Sequence, residues 1–197
     1  MAMARPLPTN LPTMKPEDIQ KRADLLRHGV EISTLGGSGL TRFDELLQRG
    51  EEQLRNRNYF HAERAFSHSL RMQPNHPLAL AGLANSQVGA GLYLAAAGTL
   101  RELFTRHPEL IDASYDEAFL PPAIRLGQMM EHLAARVNEG RSQSAAGLVL
   151  AYLGRQTGDV VAITRGLAAL HGANADDPLV PVLRTIWLGQ SSGGGTG

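Results

Sequence analysis

Seven histidines and 19 acidic residues run along this 197-residue chain, and they are its best means of holding a metal or moving a proton. Their spacing assembles neither chemistry. His61 and His68 share one helical face, but two turns separate them and no third ligand falls between, whereas a zinc site needs at least three converging protein groups. Glu131 precedes His132 without the paired-histidine spacing of a helical metalloprotease motif. Ser38, Ser114 and Ser142 lack the glycine-flanked elbow that exposes a nucleophilic hydroxyl. Cysteine is absent, which excludes disulfides, thiolate nucleophiles and cysteine-rich zinc sites. Gly36-Gly37-Ser38-Gly39 could cradle a phosphate, yet Leu40-Thr41 follow where a phosphate loop requires lysine and a hydroxyl. A flexible linker is the reading taken there. The expectation is a non-catalytic chain with no metal and no cofactor.

The stretch that organises the rest is Phe43–Glu109. At an offset of 34 residues Leu46 falls on Leu80, Gly50 on Ala84, Gln53 on Gln87 and Leu54 on Val88. Tyr59 then falls on Tyr93, Ala62 on Ala96, Phe66 on Leu100, Leu70 on Phe104 and Pro74 on Pro108. A fixed period of this length marks stacked pairs of helices. Each unit divides in two, at Arg57-Asn58 and at Gly89-Ala90-Gly91. Small residues (Gly50 with Ala62, Ala84 with Ala96) stand where paired helices must approach closely. Pro74 and Pro108 close the second helix of each unit, since proline has no donor and clashes with the preceding turn. Pro77 suits the first turn of the helix that follows His76.

These residues resemble a pair of tetratricopeptide repeats, a family of helix–turn–helix units that usually bind other proteins. Leu46, Gly50, Ala62, Phe66 and Pro74 match the family pattern in the first unit, with Ser69 as a small stand-in; Leu80, Leu83, Ala84, Ala96, Leu100 and Pro108 match in the second. Arg49, Gln53, Gln87 and Leu103 depart from it. The resemblance covers about a third of the chain. It implies an all-α fold, a right-handed stack of antiparallel helical hairpins forming a TPR-like solenoid. It also implies a concave groove lined by the first helix of each unit. On this chain that groove would present Asp44, Leu47, Glu51 and Arg55, then Leu78, Ala81, Asn85 and Val88. Asn85 would hydrogen-bond the backbone of an extended ligand. In the alternative reading Leu47, Ala81 and Val88 pack against the neighbouring unit. The lysine–asparagine set with which some members hold a chaperone's C-terminal carboxylate is missing: Leu47 and Gly82 stand in its place.

Around the repeats the spacing predicts further helices. Residues 1–15 read as a disordered tail, and Pro16 through about Ile32 as a helix with acidic residues in its first turn, a cap in preference to a decayed half-repeat. Thr41 is the expected N-cap of a helix over about 42–56. After Pro108 the template slips, because Pro121-Pro122 would fall inside a third unit. A short helix near 111–119 is expected instead, then a longer one from about Pro122 to Asn138. A pair over 143–156 and 159–171 follows, in which Leu150-Ala151, Ile163, Leu167 and Leu170 weakly echo the repeat. Whether 111–142 is a degenerate repeat or an insertion stays open. Asp177-Pro178 opens a last helix that would cover the apolar end of the array. The helical domain is expected over 16–189, with clear repeats at 43–74 and 77–108, and residues 190–197 form a flexible Gly/Ser tail.

Positive and negative charges balance at 19 each, so no general attraction to nucleic acid or anionic membrane is expected. The longest apolar run, Ala145–Leu153, is too short to cross a bilayer, and no secretory leader is visible. A cytoplasmic location is the default, an exported one the alternative if the chain is processed. The function expected is a scaffold or adaptor that takes a peptide or partner protein in its groove. Two rivals stand beside it. One is self-assembly into a homo-oligomer or larger complex through 111–142 or the last helix; the other is a helical small-molecule binder or enzyme near Met129, His132 and Tyr152.

Overall fold

The computed structural model describes residues 31–36, 39, 41–140 and 143–189. Strand β1 (Glu31–Ile32) leads into helices α1 (Arg42–Arg55), α2 (Tyr59–Met72), α3 (Pro77–Gly89) and α4 (Tyr93–Arg106). Two short 3-10 turns, Pro108–Leu110 and Glu117–Phe119, flank strand β2 (Ser114–Tyr115). Helices α5 (Ala123–Asn138), α6 (Gln143–Thr157), α7 (Val160–Ala173) and α8 (Leu179–Leu188) complete the order. The fold class is all-α, and neighbouring helices pack on one another along the chain.

Local chemistry sets the helix starts. Thr41 and Asp44 cap α1 reciprocally: the Thr41 hydroxyl accepts the Asp44 N–H, and the Asp44 carboxylate accepts the Thr41 N–H. His76 caps α3 through Nδ1, with Pro77 in the first turn, and Asp159 caps α7 by accepting the Ala162 N–H. The turns α1–α2, α3–α4 and α6–α7 each carry one residue of positive φ: Arg57, Gly91 and Gly158. Asn75 and Gly140 do the same between α2 and α3 and between α5 and α6.

Packing then follows from side-chain size. Tyr59 and Phe66 of α2 lie over Gly89 and Gly82 of α3, where any Cβ would fall within 2.3–2.4 Å of the rings. The order is reversed between the two helices, so they run antiparallel. Phe66 also meets Gly50 of α1, so one wholly buried ring is walled by glycines from two helices. The sequence pairs Gly50 with Ala62; the structure adds that the space above Gly50 and Gly82 belongs to Phe66. In the α6–α7 pair Gly147, Ala151 and Gly154 face Leu170, Gly166 and Ala162, again antiparallel and backbone against backbone.

After α4 no α-helix forms until Ala123. Helix α4 packs on α6, while α5 lies against α6 and α7. Helix α8 covers α7 and α4. Its Trp187 Nε1 donates to the Ile111 carbonyl at 2.8 Å, with the ring edge-on to Phe104. Arg101 donates two hydrogen bonds, 2.8 and 2.6 Å, to the buried carboxylate of Asp177, which also caps Leu179.

Two expectations are corrected. The capping helix expected over 16–32 does not reach its end: residues 16–30 lie outside the described residues, but Glu31 and Ile32 are extended and pair in parallel with Ser114 and Tyr115. Ile32, Ser33 and Thr34 are β-branched or short polar residues, suited to extended chain once an edge is offered. The helix near 111–119 is instead a strand between two 3-10 turns. There the main chain is satisfied from outside. Arg155 donates to the Asp112 carbonyl, Gln156 to the Ala113 carbonyl, and Gln156 accepts the Tyr115 N–H. The tails 1–15 and 190–197 lie outside the described residues.

Candidate functional site

The structure gathers two of the eight groove residues, Glu51 and Arg55, around an extended piece of backbone. Glu51, on α1, accepts the N–H of Leu35 at 2.7 Å, the N–H of Gly36 at 2.6 Å and the Thr34 hydroxyl at 2.8 Å. Arg55, one turn on, donates to the other Glu51 oxygen at 3.0 Å and to the Ser33 carbonyl at 2.7 Å. Its guanidinium also lies 4.6 Å from the Phe119 ring and 3.7 Å from the Asp116 carboxylate. Asp44 belongs to the same helix but is spent on the cap of α1.

Segment 31–36 is thus held on three sides. The edge of β2 pairs with it, and the Asp116 N–H donates to the Ile32 carbonyl. Glu51 and Arg55 hold the main chain from Ser33 to Gly36. Ile32 and Leu35 point into the core, with Leu35 wholly buried. Gly36 is tight: a Cβ there would meet Glu51 Oε2 at 3.1 Å and Gln48 Cγ at 3.2 Å. A shallow cavity of about 390 Å³ lies beside the clamp, lined by Thr34, Gly36, Gln48, Glu51, Glu52 and Arg55. Gly36, read from sequence as the start of a loose linker, is part of a hydrogen-bonded site.

Charge follows the same geometry. Burial raises the pKa of Glu51, but the hydrogen bonds from Thr34, Leu35, Arg55 and Gly36 outweigh it and leave the carboxyl below its ordinary value. The ionised form is the one that holds the segment.

The remaining groove candidates are placed otherwise. Leu47, Ala81 and Val88 are at most 1% exposed and pack in the core, as the alternative reading has it. Leu78 is half-buried against that core. Asn85 is buried, and its carboxamide oxygen accepts the Tyr152 hydroxyl at 2.6 Å, so this amide joins α3 to α6. Tyr152 is wholly buried, and Met129 is buried, while His132 is exposed beside Tyr93.

His61 and His68 are exposed on α2. Among the described residues no group of three or more His, Asp or Glu side chains converges where a metal could sit, and no helix is long and apolar enough to cross a membrane. The sequence identifies Glu51 and Arg55 as groove residues but not their partners Ser33–Gly36, Asp116 and Phe119. The alternation of Ile32 with polar neighbours was the available signal, too short to separate from a helix end. Compared with known proteins, the chain matches no family model, no curated protein and no solved structure.

Proposed function

We propose that this chain is a non-catalytic interaction scaffold or adaptor, a TPR-like right-handed stack of helical hairpins that receives an extended segment on the face of α1. The α6–α7 hairpin is read as a third unit. Aligned on the turns, Gly158 takes the place of Arg57 and Gly91, Ala151 that of Gly50 and Ala84, and Leu167 that of Phe66 and Leu100. The residues from 108 to 142 are then an insertion between the second and third units.

One observation carries the receptor reading: Glu51 and Arg55 engage main-chain groups of an extended segment, and β2 lends it an edge. Main-chain contacts of that kind give affinity, while pockets for alternate side chains give selectivity. The receptor side is pre-formed, since β2 is fixed from behind by Arg155, Gln156 and Trp187, so binding orders little of it. The test is affinity capture on the immobilised full chain. Bait carrying Glu51→Ala and Arg55→Ala retains at least tenfold less partner than wild type, with an unchanged circular-dichroism spectrum. Equal retention refutes the reading.

Self-assembly is the second reading, and one repeated feature favours it. Phe60, Leu94 and Val161 hold the same place after their turns and are 61%, 68% and 76% exposed. Light scattering over a concentration series, with Leu94→Ser and Val161→Ser as the comparison, decides it.

A further inference from the structure

We infer that the site on α1 and β2 is occupied in cis by the chain's own Glu31–Gly36 segment, and that its partner is a protein segment of the same chemistry which displaces that strand. The inference rests on the receptor reading above and adds the ligand's pattern and its regulation.

The pattern is read from what each position of the occupant meets. Ile32 and Leu35 fill the core, so the ligand needs aliphatic side chains three residues apart. Thr34 gives its hydroxyl to Glu51, so a serine or threonine precedes the second aliphatic residue. The N–H groups of Leu35 and Gly36 are both used, which excludes proline at either position. A side chain at Gly36 would press on Glu51 and Gln48, so the smallest residue, glycine, fits best there and a bulky one does not. The expected motif is aliphatic, any residue, Ser/Thr, aliphatic, Gly. Ser33 is exposed and engaged only through its carbonyl, so its side chain is unrestricted.

The two sides of the site are held unequally. Residues 111–116 are fixed by Arg155, Gln156 and Trp187, from two helices. Segment 31–36 has a two-residue strand, two apolar anchors and the clamp. A two-residue strand outside the helical array opens at lower cost than the helices do, so it opens locally while they stay folded. A competitor in solution must overcome the high effective concentration of a tethered strand, so the cis segment sets a threshold for binding.

The test uses the full chain with Ile32→Ser and Leu35→Ser, which weakens the occupant and leaves Glu51, Arg55 and β2 intact. The probe is a fluorescein-labelled capped peptide of sequence Glu-Ile-Ser-Thr-Leu-Gly, followed by anisotropy. The loosened chain is expected to bind it at least tenfold more tightly than wild type. Replacing the peptide's glycine by valine, or adding Glu51→Ala to the loosened chain, should each cost at least tenfold. A loosened chain that stays helical and binds no peptide overturns both the inference and the receptor. Equal binding by wild type and loosened chain overturns cis occupation alone. Binding indifferent to the valine and to Glu51→Ala overturns the motif. Should the loosened chain unfold, amide exchange on wild type decides. Leu35 and Gly36 must exchange at least tenfold faster than the slowest α3 amides, and equal protection overturns displacement.

Discussion

Phe66 is the side chain through which three helices meet, and Gly82→Ala puts a methyl group into its ring. The new Cβ would lie 2.4 Å from Phe66 Cζ, whereas carbon atoms in contact sit about 3.5–4.0 Å apart. The ring must therefore move by more than an ångström. It cannot swing toward α1, because Gly50 already stands so close that its own Cβ would fall 2.7 Å from the same atom. Overpacking of this sort costs about 1–3 kcal/mol, and the glass-like fit here favours the upper end. Alanine returns about 1 kcal/mol of helix propensity, which leaves a net loss of about 2 kcal/mol. Urea denaturation followed by circular dichroism reads that number. The same substitution in a background of Phe66→Leu should cost about 1–2 kcal/mol less, since the shorter side chain vacates the contact. Two results would refute the reasoning: Gly82→Ala more stable than wild type, or a double-mutant cycle additive within about 0.5 kcal/mol.

Gly127 faces open space on α5, so Gly127→Ala should stabilise by about 1 kcal/mol, while Gly91→Ala and Gly158→Ala, equally unobstructed but at positive φ, should each destabilise by about 1 kcal/mol in thermal melts. Arg101→Met strands the buried Asp177 carboxylate and should cost about 2–4 kcal/mol, less than a fully enclosed pair because Arg101 is partly exposed. Trp187, the only tryptophan, reports the loss of α8 by a red-shifted emission, and an unchanged spectrum with unchanged stability would contradict the docking of α8 on Ile111 and Phe104. Glu51 has a folded-state pKa below its ordinary 4.5, so its contribution is complete above that value and is lost as pH falls through the lowered one. Amide exchange at Leu35 and Gly36, corrected for intrinsic rates, should therefore accelerate in acid before the α3 amides respond, and Glu51→Gln should abolish the pH dependence.

Much of the helical frame is legible in the sequence because its causes are local. The 34-residue offset places α1 to α4, Thr41 and Pro77 mark two starts, and the apolar spacing after Pro122 gives α5 within a residue. What is not legible depends on distant partners. No property of residues 111–119 alone says that Arg155 and Gln156 will satisfy its carbonyls, so a helix is the natural local reading. Glu51 and Arg55 are identifiable as helix-face residues, but the segment they hold lies 15 to 22 positions upstream and has no helical period of its own. Asn85 illustrates the opposite error. A polar residue on the face assigned to the groove is read as ligand-binding until Tyr152, 67 residues away, is seen to use it.

The claim that the α1 face and the edge of β2 receive an extended chain is tested most directly by amide shift mapping. The isotope-labelled Ile32→Ser, Leu35→Ser chain is titrated with the capped Glu-Ile-Ser-Thr-Leu-Gly peptide. The account predicts that perturbed amides cluster at 48–55 and 113–119. Shifts confined to α7 and α8, or no shifts at saturating peptide, would contradict it.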